Sequence, residues 1–235
     1  MTIYGKNPAT EILKSNKKIS KAYVTKNTLD FIKPYLKQIS DYVVLEQKDM
    51  IKKFGDKTQG IVLEINEYKY ASLNNVLKNA ESKENVTLVI LDSLEDPHNL
   101  GAILRSADAT GVDGIIIGKN RSVRLNDTVA KVSTGAIEHV PVCEVTNLNM
   151  TINDLKKAGY WIVGLELDGS IDYRKQDYHG KIAVVIGSEG RGISKLVKEN
   201  CDFLVRIPMY GKVNSLNASV SAGLLLYQIL TNRGM

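Results

Sequence analysis

The chain has 235 residues, 43% of them hydrophobic and 24% charged, which is ordinary for a soluble globular protein. Its formal net charge is +5, and the whole excess falls in residues 1–84, which hold 15 Lys and no Arg against 10 acidic residues. No apolar run approaches the ~20 residues that a membrane helix needs, and the N-terminus lacks a signal-peptide core, so we expect a cytoplasmic protein.

Two cysteines, Cys143 and Cys201, lie far apart in the sequence. Their spacing indicates neither a disulfide framework nor a zinc site, and we expect both to be small buried apolar residues.

Residues 1–70 are predicted to form a small α/β domain, because short helices and strands alternate along them. The predicted elements are helices at 9–14, 29–40 and 48–54 and strands at 19–24, 42–45 and 60–65. Nothing in this stretch resembles a catalytic constellation. Its lysine excess suits contact with nucleic-acid phosphates, although a merely solvated lysine-rich surface explains so modest an excess equally well. Residues 71–85 turn polar and are predicted to be a linker with one short helix at 73–79.

Residues 86–235 alternate between strand and helix patterns, which predicts an α/β domain with a mostly parallel sheet and helices on both faces. The run Val86-Thr-Leu-Val-Ile-Leu is typical of a strand buried on both faces. The predicted strands are 86–91, 114–118, 140–145, 161–167, 181–186 and 203–207. The predicted helices are one that begins at Asn99 and those at 127–133, 150–158, 193–199 and 218–230.

The first of three unusual loops reads Asp96-Pro-His-Asn-Leu-Gly-Ala-Ile-Leu-Arg. Asp96-Pro97 is predicted to stop any regular element, and Asn99 to cap a helix that ends at Gly111. Asn99 and Arg105 could then both reach the crevice at the carboxyl ends of the strands, where open α/β sheets bind ligands. A capping Asn and a surface Arg would explain the same residues without any function.

The second loop reads Gly187-Ser-Glu-Gly-Arg-Gly-Ile. It is not a phosphate-binding loop, because Ile193 stands where the lysine belongs, and it is not a dinucleotide motif, because Lys195 stands where the third glycine belongs. What remains is a glycine-lined turn with one carboxylate, Glu189, which could hold an Arg or accept a hydrogen bond from a hydroxyl. Taken alone, an ordinary tight turn is as good an explanation.

The third loop reads Asn214-Ser-Leu-Asn-Ala-Ser and offers more capping groups than the following helix requires. Surplus amides and hydroxyls at a helix N-terminus suit a polar ligand, and an over-determined cap is the alternative. Three histidines, His98, His139 and His179, show no spacing for a metal or a catalytic triad, so no metal site is predicted.

In this order, the three segments resemble the three motifs of the SpoU-type RNA ribose 2′-O-methyltransferases, over about residues 86–235. Residues 1–70 resemble the substrate-binding domain, similar to ribosomal protein L30e, of one branch of that family. That branch looks like the 23S ribosomal RNA guanosine 2′-O-methyltransferases, with transfer-RNA enzymes as near relatives. Many relatives carry His-Gln-Gly where this chain has Thr58-Gln59-Gly60, so an RNA contact made by that His would differ here.

The resemblance implies a trefoil knot in the C-terminal domain, S-adenosylmethionine as cofactor, RNA (rRNA or tRNA) as substrate, and a homodimer through that domain. Carried over to the matching positions, it also implies a reaction site and a cofactor site. The implied catalytic residues are Asn99, Arg105, Glu189, Ser215 and Asn217. The implied cofactor contacts are Gly187, Ile207 and Leu216, with Thr134, Leu165, Glu166 and Ser219 as further candidates.

A sulfonium methyl group is already electrophilic, so the protein is expected to align a ribose 2′-hydroxyl and to make it a better nucleophile. We expect Arg105 to stabilise the developing alkoxide, because an Arg is seldom a base. Asn99 would orient the ribose or Arg105, and Glu189 would anchor that Arg. Ser215 and Asn217 would hold ribose and phosphate. An RNA-binding or assembly protein without turnover and a nucleotide-binding module are the alternatives.

Overall fold

The computed structural model describes residues 2–14, 17–65, 68–169 and 171–234. The chain divides into two compact units, Met1–Lys69 and Tyr70–Met235. Each hydrophobic core cluster draws all of its residues from one of the two units. We therefore describe the units one at a time.

The first unit has a four-stranded sheet in the order β1-β4-β2-β3, in which β4 is antiparallel to β1 and β2, and β3 is parallel to β2. Its elements are β1 (Thr2–Tyr4), α1 (Lys6–Lys14), β2 (Ile19–Val24), α2 (Leu29–Ile32), β3 (Tyr42–Val44), α3 (Gln47–Phe54) and β4 (Ile61–Ile65). Strand β1 was not predicted. The helix predicted at 29–40 changes after α2 into a 3-10 helix, Lys33–Gln38, because Pro34 has no N–H to continue the α-helical pattern.

The Thr58-Gln59-Gly60 turn lies inside this unit. Thr58 is fully buried, and the side-chain oxygen of Gln59 accepts a hydrogen bond of 2.9 Å from the backbone N–H of Lys6. Gly60 has a φ of +79°, and a Cβ atom there would lie 2.7 Å from the hydroxyl of Thr25. The turn therefore joins α1, β2 and β4, and the side chain at position 58 packs into the interior.

The second unit contains a seven-stranded sheet in the order β7-β6-β5-β10-β8-β11-β9, in which each neighbouring pair is parallel. Its strands are β5 (Val86–Leu91), β6 (Gly114–Gly118), β7 (Val142–Val145), β8 (Trp161–Leu165), β9 (Ile171–Asp172), β10 (Lys181–Ile186) and β11 (Phe203–Arg206). Its helices are α4 (Leu73–Asn79), α5 (Pro97–Ala109), α6 (Asp127–Ser133), α7 (Leu148–Lys157), α8 (Lys195–Glu199) and α9 (Ala218–Asn232). The predicted parallel sheet is confirmed, and the short β9 was not predicted.

Helices cover both faces of this sheet, as predicted. Along β5, Val89 and Leu91 belong to a core shared with α5, α6 and α9, while Leu88 and Ile90 belong to a core shared with α4, α7 and α8. Successive side chains of a strand point to opposite faces, so a continuous apolar run supplies two cores at once. The trefoil knot that the resemblance implies stays a prediction.

Residues 71–85, expected to be a linker, pack with the second unit. The backbone N–H of Ala71 donates to the carbonyl of Val142 at 2.7 Å, and Val76 of α4 is buried in a core with β5. The polar composition of residues 71–85 indicated a linker, because only the side of α4 that faces the core is apolar.

The start of α5 differs from the prediction. Asp96, not Asn99, is the N-cap, and its carboxylate accepts a hydrogen bond of 2.8 Å from the backbone N–H of His98. Pro97 is the first helical residue, where a fixed φ and a missing N–H are tolerated. Asn99 therefore lies inside the first turn and is only 4% exposed, which frees its amide for another role. The predicted end is confirmed, since Gly111 follows α5 with a φ of +67°.

Both cysteines are free thiols, with Cys143 buried as expected and Cys201 only half-buried. Burial raises the pKa of the Cys143 thiol to about 11, which makes it a poor nucleophile. Among the described residues, none of the helices has the length and apolarity that a membrane crossing requires.

Candidate active site

Two cavities lie over the carboxyl ends of the parallel strands, on either side of residues 188–192. The apolar cavity, about 250 Å³, is bounded by the loops after β8, β10 and β11, and the charged cavity, about 450 Å³, by the loops after β5, β6 and β10. The apolar cavity is lined by Leu165–Leu167, Ile186–Gly192, Ile207, Met209, Ser215, Leu216, Ala218 and Ser221. The charged cavity is lined by Ser93–Asp96, Asn99, Arg121, Ser188–Gly192 and Ser194.

The loop between the cavities is wound so tightly that two of its residues must be glycine. A Cβ atom on Gly187 would lie 2.1 Å from the backbone of Gly192, which itself has a φ of +64°. Hydrogen bonds of 3.1 and 2.9 Å join the backbone of Ser188 and Gly192 in both directions. Backbone groups therefore form the wall of the apolar cavity, where a ligand can approach them closely.

Glu166, the residue after β8, supports this loop. Its carboxylate accepts a hydrogen bond of 2.5 Å from the backbone N–H of Ile193, and its other oxygen lies 3.8 Å from the ammonium of Lys198. Lys198 also donates to both oxygens of Asp168, at 2.7 and 2.9 Å. These hydrogen bonds raise the pKa of Lys198 and lower that of Asp168, so both groups stay charged beside the cavity.

Three side chains from the three unusual loops meet between the cavities. The amide of Asn99 donates to Glu189 Oε1 at 2.9 Å, and the amide of Asn217 donates both to the Asn99 oxygen, at 2.9 Å, and to the same Glu189 oxygen. Charge-assisted hydrogen bonds of this kind are stronger than neutral ones. They fix the carboxylate, and no hydrogen bond to Glu189 Oε2 is found within the described parts of the chain.

Asn217 is also the N-cap of α9. Its side-chain oxygen accepts from the backbone N–H of Ser219 at 2.9 Å, from the Ser219 hydroxyl at 2.5 Å and from the N–H of Val220 at 3.3 Å. Capping therefore uses the oxygen of the amide and leaves its nitrogen for Glu189. The sequence pattern at residues 214–219 left two explanations, a helix cap or a polar site, and in the structure the same residues form both.

The structure brings most of the sequence-predicted site residues together. Leu165, Glu166, Gly187, Ile207, Ser215 and Leu216 line the apolar cavity, Asn99 lines the charged cavity, and Glu189 lines both. Ser219 and Asn217 join them through the α9 cap.

Within the described parts of the chain, two predicted residues, Thr134 and Arg105, neither line one of these cavities nor form a hydrogen bond to the residues that do. Thr134 is exposed and is the C-cap of α6, with a left-handed backbone conformation. Arg105 is exposed on α5, six residues after Asn99, which places it about 9 Å further along the helix and turned to another side. We call the hydrogen-bonded side chains of Asn99, Glu189 and Asn217 the Glu189 group. Although Arg105 is on the same helix as Asn99, it does not reach the Glu189 group within one chain.

Sequence reasoning missed several lining residues. Ile186 and Met209 could have been found, because each is at or just beyond the carboxyl end of a predicted strand. Arg121, in the loop after β6, lines the charged cavity, and Arg191, near Glu189, lines both cavities. Nothing in the sequence marks Arg121, whose φ of +54° becomes visible only in the structure.

Two known family models match this chain, one over each unit. The model of the SpoU rRNA Methylase family matches residues 86–227, and the model of the RNA 2′-O ribose methyltransferase substrate-binding domain matches residues 2–71. The chain belongs to the SpoU methylase family. SpoU methylases are RNA methyltransferases that use S-adenosylmethionine, so this protein is an enzyme of that kind.

Individual relatives agree with the SpoU assignment. YacO of Bacillus subtilis (strain 168), named as a TrmH family tRNA/rRNA methyltransferase, is 46% identical over 98% of this chain and 95% of its own length. Among solved structures, an AdoMet-bound rRNA methyltransferase from Sinorhizobium meliloti is 26% identical, with a TM-score of 0.63 over 97% of this chain and 85% of its own. The SpoU methyltransferase AviRb from Streptomyces viridochromogenes with AdoMet shares the fold, with 21% identity and a TM-score of 0.68 over 99% of this chain and 90% of its own.

Proposed function

We propose that this SpoU methylase transfers a methyl group from S-adenosylmethionine to a ribose 2′-hydroxyl of structured RNA, and that the target is a guanosine of 23S rRNA. The observation that carries the proposal is the convergence of Asn99, Glu189 and Asn217 beside the apolar cavity. A descendant of the fold that only binds or assembles RNA has no reason to keep three distant polar side chains in one hydrogen-bonded group.

The apolar cavity fits the cofactor. Leu165, Ile207 and Leu216 offer apolar walls for an adenine ring, and the glycine-lined backbone permits close approach of polar groups. Among the described residues, the second carboxylate oxygen of Glu166 has only the ammonium of Lys198, 3.8 Å away, as a partner, and a carboxylate is the usual partner of ribose hydroxyls. Bound S-adenosylmethionine supplies an electrophilic methyl group, so the residues of this chain need to position and activate only the nucleophile.

Glu189 and Arg105 have different tasks in this mechanism. Two amides hold Glu189 in one orientation, so that its other oxygen can accept a hydrogen bond from the ribose hydroxyl or anchor a guanidinium. The hydroxyl proton would pass to water or to the Glu189 oxygen as the ribose oxygen takes up the methyl group. A guanidinium next to that hydroxyl would stabilise the negative charge that develops. We assign this electrostatic task to Arg105, because an Arg rarely loses its proton.

Arg105 reaches the Glu189 group in the proposed assembly from a second copy of the chain. Helix α9 exposes Val220, Leu224 and Tyr227, which are 50%, 41% and 53% exposed and follow one side of the helix. Ser106, which follows Arg105 in α5, faces Gly223 of α9. A Cβ atom added to Gly223 would lie 3.5 Å from the Ser106 hydroxyl oxygen. A homodimer that covers the apolar stripe of α9 would therefore also bury the neighbourhood of Arg105.

The first unit is proposed to hold RNA. Its surface carries exposed lysines such as Lys53, whose ammonium lies 4.2 Å from the ring centre of the buried Tyr23. Lysine attracts phosphates without reading bases, which suits an anchoring role. A transfer RNA is the alternative substrate, because YacO is named for both tRNA and rRNA.

The test is methyl transfer from labelled S-adenosylmethionine to rRNA and tRNA purified from cells that lack the gene. We expect labelled 2′-O-methylated ribose in rRNA, and a loss of about 100-fold or more for Arg105→Ala with unchanged cofactor affinity by calorimetry. Lys131→Ala, an exposed cation on the neighbouring α6, is the matched control. Label in tRNA alone would move the substrate to tRNA, and an active Arg105→Ala enzyme would remove Arg105 from the mechanism.

A further inference from the structure

We propose that the charged cavity is the pocket for the target nucleotide, in which Glu95 recognises the base as guanine and Arg121 and Arg191 hold the flanking phosphates. This inference rests on the proposed ribose methylation. It assigns a role to three residues that the mechanism above does not use.

The position of the cavity supports this role. The loops that bound it follow β6, β5 and β10, three neighbouring strands, and the loop of residues 188–192 separates it from the apolar cavity. Asn99 and Glu189 line it. A ribose held at Glu189 can therefore have its base in the charged cavity while the methyl donor occupies the other side of the loop.

Only some of the charged side chains that line this cavity are left to bind a nucleotide. Glu189 is held by two amides through one oxygen, and its other oxygen already serves the ribose hydroxyl or Arg105 in the proposed mechanism, while Asp96 caps α5. Glu95, Arg121 and Arg191 are exposed, and none of them forms an ion pair within the described residues. The available groups are thus two guanidiniums, which match phosphates by paired hydrogen bonds, and one carboxylate.

An ionised carboxylate can only accept hydrogen bonds. Guanine differs from the other three RNA bases in presenting two adjacent donors, N1–H and the 2-amino group, on its Watson–Crick edge. Proteins read unstacked RNA bases on that edge. A carboxylate at Glu95 would therefore accept both donors of guanine and would face at least one acceptor on adenine, cytosine or uracil.

The loops that carry Glu95 and Arg121 are joined to each other. The backbone N–H of Val123 donates to the carbonyl of Leu94 at 2.7 Å, and Leu94 is buried. Asp92, at the start of the same loop, accepts from the backbone N–H of Ser194 at 2.7 Å. Hydrogen bonds therefore hold the backbones of the loops around the cavity to one another, which favours selection between bases.

The experiment uses the full chain with labelled S-adenosylmethionine and RNA from cells that lack the gene, followed by mass spectrometry of the modified nucleoside. We expect 2′-O-methylguanosine. Glu95→Gln and Arg121→Ala should each lower kcat/KM about tenfold or more while cofactor affinity is unchanged. Arg124→Ala is the control, because Arg124 is in the same loop as Arg121 but does not line the cavity.

An RNA fragment with inosine at the mapped position tests the contact to the base. Inosine lacks the 2-amino group, so wild type should lose about tenfold on it, whereas Glu95→Gln should lose little more than it has already lost. A methylated nucleotide other than guanosine, or full activity of Glu95→Gln, would overturn this inference while leaving ribose methylation intact. Absence of methyl transfer by the wild-type protein on every RNA would instead remove the proposed function itself.

Discussion

Asn217 performs two tasks with the two ends of one amide group. Its oxygen caps α9, and its nitrogen donates to Glu189 and Asn99. Asn99 makes a similar contribution only because Asp96 has taken over the cap of α5. At the residue scale, the site depends on which polar atoms form the capping hydrogen bonds of each helix and which remain to bond Glu189.

Substitution of Asn217 should separate these tasks. Asn217→Ala removes both, so we expect a loss of about 1 kcal/mol in the free energy of unfolding together with a loss of methyl transfer. Asn217→Ser keeps a good capping oxygen but has no amide nitrogen for Glu189, so stability should stay close to wild type while activity falls about tenfold or more. Urea unfolding and methyl transfer measure the two effects, and an active Asn217→Ser enzyme would contradict the role of the amide in the site.

At the scale of elements, α5 has to be placed closely because it carries Asn99. Gly101, two residues further along α5, faces α6, and a Cβ atom there would lie 2.6 Å from the Cβ of Val132. The close approach of two helices is therefore the reason for a glycine in the middle of α5, where it otherwise weakens a helix. Gly223 of α9 has more room, since its nearest neighbour would be the Ser106 hydroxyl at 3.5 Å.

The two glycines give a matched prediction. Gly101→Ala should destabilise the protein by about 1–3 kcal/mol, because the added methyl group forces α5 away from α6. Gly223→Ala should be neutral or stabilise it by up to about 1 kcal/mol, because alanine is the better helix former and the space is ordinary contact distance. Thermal and urea unfolding check both variants, and equal effects would show that the close approach of α5 and α6 is not limiting.

At the scale of the whole molecule, charge and chemistry are divided between the two units. Residues 1–69 hold 13 Lys and no Arg against 8 acidic residues, whereas both cavities and all the polar site residues belong to the second unit. Because each unit has its own hydrophobic core, we expect the second to fold without the first.

Deletion of residues 1–69 should therefore leave cofactor affinity unchanged and weaken RNA binding about tenfold or more at low salt. The slope of log affinity against log salt concentration should also become shallower, because fewer lysine–phosphate contacts release counterions. Calorimetry with S-adenosylmethionine and filter binding of labelled rRNA at several salt concentrations measure the two properties. Unchanged RNA affinity in the truncated protein would contradict the anchoring role of the first unit.

The sequence by itself determined the longer strands and most of the helices, but not the short β1 and β9, and it determined the chemistry of the loops. Continuous apolar runs such as 86–91 marked buried parallel strands, because a strand covered on both faces has no polar side. Three polar loops at the ends of such strands indicated the site, since parallel strands present their carboxyl ends at one edge of the sheet.

Only the tertiary structure decided how those loops combine. Whether Asn99 caps a helix or contacts Glu189 depends on a hydrogen bond across 90 residues, and local spacing carries no information about it. The same holds for Arg105. The sequence pattern predicted that it belongs to the site, but within one chain the fold turns its side chain away. It also holds for Arg121, which lines the charged cavity and has an unusual backbone conformation. Side-chain direction is set by packing between distant elements, and for that reason the pattern of the sequence gives the composition of the site but not its geometry.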